Sequence, residues 1–174
     1  MNKILLITLA TVLVVGLSAC TPGISINSDS EKIFKAASEI ADFNLPAGYS
    51  SESTAQLAGY TAVSYNPGDG HSHLYLIQSE KETDSEKLAQ MLGDLVPGSS
   101  NPNTRLTVVE NRAATIRGQA ATIVISDGVN HEGDTYRQIT VAFQGKGGPA
   151  LLVLSEPAEH WDQSTVDELL ASIQ

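Results

Sequence analysis

The stretch that decides the fold runs Thr135-Tyr-Arg-Gln-Ile-Thr-Val-Ala-Phe-Gln144, then Gly145-Lys-Gly-Gly-Pro149, then Ala150-Leu-Leu-Val-Leu154. Apolar side chains occupy every second position from residue 139 to residue 143, as in a strand that buries one face. The connection, rich in glycine, is too short for the crossover that parallel strands require. These segments therefore predict an antiparallel β-hairpin.

Strand-like segments extend outward from this hairpin toward the N-terminus. Further strands are predicted at residues 58–65, 73–78, 105–109 and 120–125. Residues 113–117 are an additional candidate. The turn Asn66-Pro-Gly-Asp-Gly70 joins the first two strands as an antiparallel pair. No internal repeat or domain boundary is visible in the sequence, so we expect one sheet in one domain.

Three segments combine a helix start signal with apolar residues at helical spacing. The start signals are Ser28-Asp-Ser-Glu31, Thr83-Asp-Ser-Glu86 and Ser164-Thr-Val-Asp167. The apolar stripes behind them consist of Ile33, Phe34, Ala37, Ile40 and Ala41; of Leu88, Met91, Leu92 and Leu95; and of Val166, Leu169, Leu170 and Ile173. The strands and helices together predict a single α+β domain over residues 31–174, with helices packed on an antiparallel twisted sheet.

The order of these elements over residues 58–174 resembles that of the PsbP/Mog1-like family of small α-β-α sandwich proteins. A strand pair is followed by a helix, an antiparallel meander and a terminal helix. The resemblance implies a binding or assembly module without catalytic activity of its own. A fold does not fix a function, so we treat this as an expectation.

Residues 1–19 have the organisation of a secretory signal peptide: Lys3, an apolar run from Ile4 to Leu17, and small residues before Cys20. The apolar run is too short for a permanent membrane-spanning helix. The sequence Leu17-Ser-Ala-Cys20 resembles the lipobox of bacterial lipoproteins. That resemblance implies cleavage before Cys20, a diacylglyceryl group on its thiol and further acylation of its amino group. The alternative is that Cys20 is merely a small residue near an ordinary cleavage site.

Residues 20–30 are small, polar and rich in turn formers, so we expect a lipidated cysteine followed by a flexible tether. The resemblance to lipoproteins implies an exported protein held in the bacterial cell envelope by membrane lipid. It would lie on the periplasmic face of the outer membrane in a Gram-negative organism, and on the outer face of the cytoplasmic membrane otherwise.

The charge and the cysteine content exclude several functions. Twenty acidic and ten basic residues give a net charge of −10, which opposes nucleic-acid binding. The single cysteine excludes an intramolecular disulfide and a multi-cysteine metal cage.

The sequence has no Gly-x-Ser-x-Gly elbow and no His-Glu-x-x-His motif, and Gly145-Lys146-Gly147 lacks the Ser or Thr of a phosphate loop. We therefore predict no enzymatic activity, no catalytic residue and no cofactor.

The pair His71 and His73 is the candidate metal site in the sequence. Side chains two residues apart on a strand share a face, and two imidazoles can bind Zn²⁺ or Cu²⁺ when a third ligand is present. Asp69 or the loop Asn130-His-Glu-Gly-Asp134 could supply that ligand. The favoured interpretation is that both histidines are turn and edge residues without a metal.

Trp161 is likewise expected to pack against the domain rather than to stack on a ligand.

Three functions remain from the sequence. The favoured one is a membrane-anchored envelope lipoprotein whose non-catalytic domain binds a protein or a small ligand. The first alternative is a metal-binding or metal-dependent hydrolytic lipoprotein that uses His71 and His73. The second alternative is a structural component of the envelope.

Overall fold

The structure, a computed structural model, describes residues 25–57, 59–80, 106–129 and 133–174. Within these residues the chain forms eight strands and two helices. In chain order they are β1 (Ser25–Asn27), α1 (Ser30–Ile40), β2 (Ser50–Leu57), β3 (Tyr60–Asn66), β4 (His73–Ser79), β5 (Thr107–Ile116), β6 (Gln119–Val129), β7 (Thr135–Gln144), β8 (Pro149–Pro157) and α2 (Gln163–Ala171).

The eight strands form one sheet in the order β1-β2-β3-β4-β8-β7-β6-β5. Each neighbouring pair is antiparallel. The first four strands form one meander and the last four form a second, and the two meet where β4 pairs with β8. The α+β class with an antiparallel sheet is therefore confirmed.

The helices α1 and α2 pack on one face of the sheet, which we call the first face. β8 lies at the centre of the sheet and is buried over its first six residues. This explains its uninterrupted apolar run, because a strand covered on both faces has no polar side. The main core contains, among others, Val63, Leu74, Leu76, Ile123, Ile139, Val141, Leu152 and Leu154 from the sheet, and Ile33, Ile40, Val166 and Leu169 from the helices.

In the hairpin of β7 and β8, the side chains of β7 that were predicted to be buried do face the core. Ile139, Val141 and Phe143 are all at most 2% exposed, which confirms the alternation in β7.

The turn between the strands packs on a buried glutamine, since the Gly147 amide donates to Gln78 Oε1 at 2.9 Å. Gly148 has a φ of 154°, and a Cβ there would collide with the backbone carbonyl of Ser79. The turn therefore requires glycine for packing, which accounts for the resemblance to a phosphate loop.

The N-cap of the first helix lies one residue later than predicted. Asp29, not Ser28, is the N-cap, and its carboxylate accepts from the amides of Glu31 and Lys32. A carboxylate at this position satisfies two amides that the helix itself leaves unpaired and also complements the helix dipole. The helix ends at Ile40, and its C-cap Ala41 is already extended.

The buried side of α1 differs from the predicted apolar stripe. Ile33, Ala37 and Ile40 are buried as expected, and Ala36 joins them. Phe34, which was assigned to the stripe, is 74% exposed. The error has a geometric cause, since each residue turns by about 100° around the helix axis and Phe34 follows the deeply buried Ile33.

The second described helix, α2, begins earlier than predicted, in contrast to α1. Its N-cap is Asp162, whose carboxylate accepts from the Ser164 amide and the Thr165 hydroxyl, so Ser164 is the second residue of the helix. The helix predicted behind Thr83 lies outside the described residues. Among the described residues, no helix combines the length and apolar character needed to cross a bilayer.

Two strands near the N-terminus, β1 and β2, were not predicted, and β5 was predicted only as two separate segments. β1 occupies Ser25–Asn27 and pairs with β2, so the expected tether of residues 20–30 already belongs to the fold from Ser25 onward. β5 is one continuous strand from Thr107 to Ile116, where two segments had been predicted, and it contains a β-bulge at Val109. β1 and β5 are the two edge strands and β2 lies next to β1. The mostly exposed side chains of these strands carry little apolar alternation.

Candidate functional site

The second face of the sheet, opposite α1 and α2, changes from apolar to polar along β4. Ile77, Ala142 and Leu151 form a small buried cluster on this face. Toward the start of β4, hydrogen-bonding side chains lie side by side across four strands. We call this set the polar row: His73 on β4, Ser155 on β8, Gln138 on β7 and Ser126 on β6.

The polar row is built by strand register, because directly opposed residues in an antiparallel pair share a face. His73 pairs with Ser155, Ser155 pairs with Gln138, and Gln138 pairs with Ser126. Ser126 is buried and the other three are partly buried. The row therefore presents half-buried donors and acceptors rather than a fully solvated surface.

In the polar row, His73 has a buried ring nitrogen for which the described residues provide no hydrogen-bond partner. Its ring stacks on that of Tyr75, with centroids 5.9 Å apart and planes at 21°. This confirms that His73 and Tyr75 share a face. Its Nδ1 atom is buried and has no hydrogen-bond partner among the described residues. Since a buried polar atom without a partner is destabilising, Nδ1 favours a partner from beyond the described residues.

A tight turn precedes His73 and is organised by Asp69. One oxygen of its carboxylate accepts from the amides of His71 and Ser72 at 2.9 and 2.8 Å. The other accepts from the Ser72 hydroxyl at 2.6 Å. Partial burial raises the pKa of Asp69, but these hydrogen bonds and the nearby His71 outweigh it and lower the pKa to about 2. Asp69 is thus a structural carboxylate and a poor general base, so Ser72 is not an activated nucleophile.

Tyr49 connects this turn region to the end of β8. Its hydroxyl donates to Glu156 Oε1 at 2.7 Å. Burial raises the pKa of Tyr49 well above its usual value, and the hydrogen bond and charge of Glu156 raise it further. The phenol therefore stays protonated over the physiological range and acts as a donor that holds the segment before β2 against Glu156.

The turn provides a pH-dependent prediction. Because the pKa of Asp69 is lowered from 3.8 to about 2, its charge stabilises the fold above about pH 4, and this contribution disappears as the pH falls toward 2. Asp69→Asn should therefore lower the free energy of unfolding at pH 7 by at most about 1 kcal/mol, since the carboxylate is exposed and screened. Urea unfolding of both proteins at a series of pH values measures the difference.

The matched control for this experiment is Ser72→Ala, alone and combined with Asp69→Asn. Both substitutions remove the same hydroxyl–carboxylate bond, so the double variant should lose less than the sum of the two single losses. A wild-type advantage over Asp69→Asn that persists undiminished at pH 2 would contradict this account of the turn.

The structure places His71 and His73, the two histidines of the candidate metal site, in different local environments. β4 begins at His73, so the strand alternation does not reach His71, which lies in the exposed turn. Asp69 is already engaged by two amides and a hydroxyl. Among the described residues no group of three or more His, Cys, Asp or Glu side chains is placed to hold a metal ion. Residues 130–132 of the second polar loop lie outside the described part of the chain.

Trp161 lies ahead of α2 and packs against the main core, which confirms the packing role predicted for it. Arg137 stands over its ring at 5.6 Å. The same guanidinium binds both carboxylate oxygens of Asp127 at 2.6 and 2.9 Å. These contacts engage Arg137 from two sides, so the Trp161 region serves the fold.

Sequence reasoning found His73 but missed its neighbours. Ser155, Gln138 and Ser126 are ordinary polar residues that become a row only through strand register, for which the sequence provides no direct signal. Tyr49 follows Pro46-Ala-Gly48, a turn signal, but nothing in the sequence links it to Glu156.

Comparison with known proteins supports the fold and goes no further. The structure is similar to the solution structure of cyanobacterial PsbP (CyanoP) from Synechocystis sp. PCC 6803, with a TM-score of 0.50 and 13% sequence identity. The match covers 90% of this chain and 95% of that chain. No family model matches the sequence, and no curated protein matches it. The chain therefore has a PsbP-like fold, as its order of elements indicated.

Proposed function

We propose that this protein is an exported lipoprotein of the bacterial cell envelope, anchored through acylated Cys20, whose PsbP-like domain binds a protein or a small ligand without catalysis. The anchoring rests on Leu17-Ser-Ala-Cys20 behind the apolar run of the signal peptide. Two or more acyl chains hold a protein in a bilayer stably, whereas one chain gives only marginal binding.

The observation that carries the binding role is the buried Nδ1 of His73 within the polar row, for which the described part of the chain supplies no hydrogen-bond partner. A partner that inserts a hydrogen-bonding group there would satisfy this atom and at the same time meet Ser155 and Gln138. The arrangement supports recognition rather than chemistry, because the nearby hydroxyl of Ser72 is held by a carboxylate that is too weak a base to activate it.

Cross-linking in native membranes tests the binding role. We expect the wild-type full chain to give a discrete cross-linked species. The double variant His73→Phe with Gln138→Leu keeps the shape of both side chains but removes their hydrogen-bonding groups. It should reduce the yield of that species by about tenfold or more, because two hydrogen bonds are worth about 2 kcal/mol.

Gln56→Leu is the matched control, since this glutamine is exposed on β2 and lies on the opposite face of the sheet. It should leave the cross-linked species unchanged. Equal yields from the wild type and the double variant would contradict binding at the polar row. The absence of any cross-linked species would favour a purely structural role.

A further inference from the structure

The two edge strands of the sheet differ greatly in length. β1 has three residues, whereas β5 has ten, from Thr107 to Ile116. Among the described residues, no strand pairs with the outer side of β5. The first seven side chains of β5 are exposed, and they include Val108 at 58% and Val109 at 51%. A long exposed edge strand is a template for pairing with another strand.

β5 has few of the features that usually prevent such pairing. Edge strands are commonly protected by proline, by lysine or by a β-bulge. β5 contains no proline and no lysine. Its bulge lies at Val109, toward one end, and residues 110–116 pair with β6 without interruption. The regular part of β5 is therefore open to a partner strand.

The turn after β5 indicates which backbone groups point outward. Arg117 and Gly118 both have positive φ, of 53° and 74°, as in a two-residue hairpin turn of type I′. This turn joins the flanking residues Ile116 and Gln119 by a hydrogen bond. Since hydrogen-bonded pairs alternate along an antiparallel ladder, the even-numbered residues 110–116 bond to β6. The amides and carbonyls that point to the free edge are then those of Asn111, Ala113 and Thr115.

Two opposite charges flank the first of these outward-pointing residues. Glu110 and Arg112 share the first face of the sheet, since they pair with Ile125 and Ile123 of β6. Arg112 Nε lies 2.7 Å from Glu110 Oε1, and both side chains are still more than 40% exposed. The sequence Glu110-Asn-Arg112 is therefore complementary in charge to a second copy of itself that runs in the opposite direction.

We propose that two copies of this chain pair through β5 in antiparallel orientation, with the two-fold axis at Asn111. The two Asn111 backbones form a hydrogen-bonded pair, and Arg112 of each copy lies opposite Glu110 of the other. The exposed segment 108–109 of each copy runs alongside residues 113–114 of the other. The contact is isologous, and it joins two eight-stranded sheets into one.

The charges select this register among the symmetric alternatives. A two-fold axis at Arg112 would place the two Arg112 side chains opposite each other, and an axis at Glu110 would do the same for the two carboxylates. Like charges directly opposite each other are destabilising. An axis at Ala113 would form no ion pair. Only the axis at Asn111 satisfies both charges of each copy.

Charge reversal tests this pairing in the full chain. Two copies with different affinity tags are co-expressed, and the tag on one copy is used to retrieve the other from a detergent extract. Wild-type copies should co-purify. Glu110→Arg in both copies should reduce the retrieved amount by about tenfold or more, because two attractive cross-strand pairs become repulsive. Arg112→Glu in both copies should have the same effect.

Co-expression of the two variants with each other is the most specific measurement. A copy with Glu110→Arg and a copy with Arg112→Glu place opposite charges at both cross-strand positions, so they should retrieve each other at the wild-type level. Such recovery also shows that both variants fold.

Glu39→Arg in both copies is the matched control. It reverses an exposed carboxylate that lies 3.9 Å from a cation, Lys35, on α1, which packs on β2, β3 and β4. Co-purification should stay at the wild-type level.

Three results would overturn the proposal. In the first, wild-type copies do not co-purify. In the second, copies with Glu110→Arg retrieve each other as well as the wild type does, so that the copies associate elsewhere or share a micelle. In the third, each variant loses self-association but the two together do not recover it, which excludes the axis at Asn111. The outcome is independent of the lipid anchor, because pairing through β5 does not require acylation of Cys20.

Discussion

Replacing Leu152 with alanine is expected to lower the free energy of unfolding by about 2–5 kcal/mol. Leu152 lies in the central strand β8 and is fully buried. It is opposed by Leu76 on one side and by Val141 on the other, and both of these are fully buried as well. The backbone ladders on both sides prevent the strands from closing in, so the substitution leaves a cavity in the main core.

Urea unfolding at neutral pH measures this loss. Val109→Ala is the control, because it removes a similar apolar side chain from an exposed position on the edge strand β5. It should change the free energy of unfolding by no more than about 0.5 kcal/mol. Equal losses from the two substitutions would mean that β8 is not the centre of the core.

Replacing Cys20 with alanine is expected to abolish lipid attachment and with it the lipid-dependent part of membrane association. Without a thiol at this position no diacylglyceryl group can be attached, and the lipoprotein type of cleavage is lost with it. After expression in a bacterium and phase separation of a detergent extract, wild-type protein should enter the detergent-rich phase. The Cys20→Ala protein should lose that lipid-dependent partitioning.

Thr21→Ala is the matched control for the anchor, because it alters the next residue and leaves Leu17-Ser-Ala-Cys20 intact. It should partition like the wild type. If the Cys20→Ala protein enters the detergent-rich phase to the same extent as the wild type, a feature other than the cysteine holds the protein at the membrane.

The central part of the fold could be predicted from the sequence, but the edges could not. β7 shows its buried face directly, since its apolar residues alternate with polar ones. β2 reads Ser50-Ser-Glu-Ser-Thr-Ala-Gln-Leu57, and only Thr54 among its residues is buried. Its position is determined by backbone pairing with β1 and β3, and backbone hydrogen bonds leave no pattern in the side chains.

The candidate site was predictable only in part for the same reason. His73 attracted attention as one of a histidine pair, but its neighbours Ser155 and Gln138 come from strands that are distant in sequence. Phe34 shows the opposite error, since an apolar residue in a helical pattern was assigned to the core although it is exposed. Apolar spacing alone does not distinguish a buried position from an exposed one.

The intact mass of the protein extracted from membranes tests the central claim most directly. We predict a chain that begins at Cys20 and carries the added mass of a diacylglyceryl group and a further acyl group. A membrane-bound form that retains Met1, or one that begins at an unmodified Cys20, would contradict the claim that this PsbP-like domain is a lipid-anchored protein of the cell envelope.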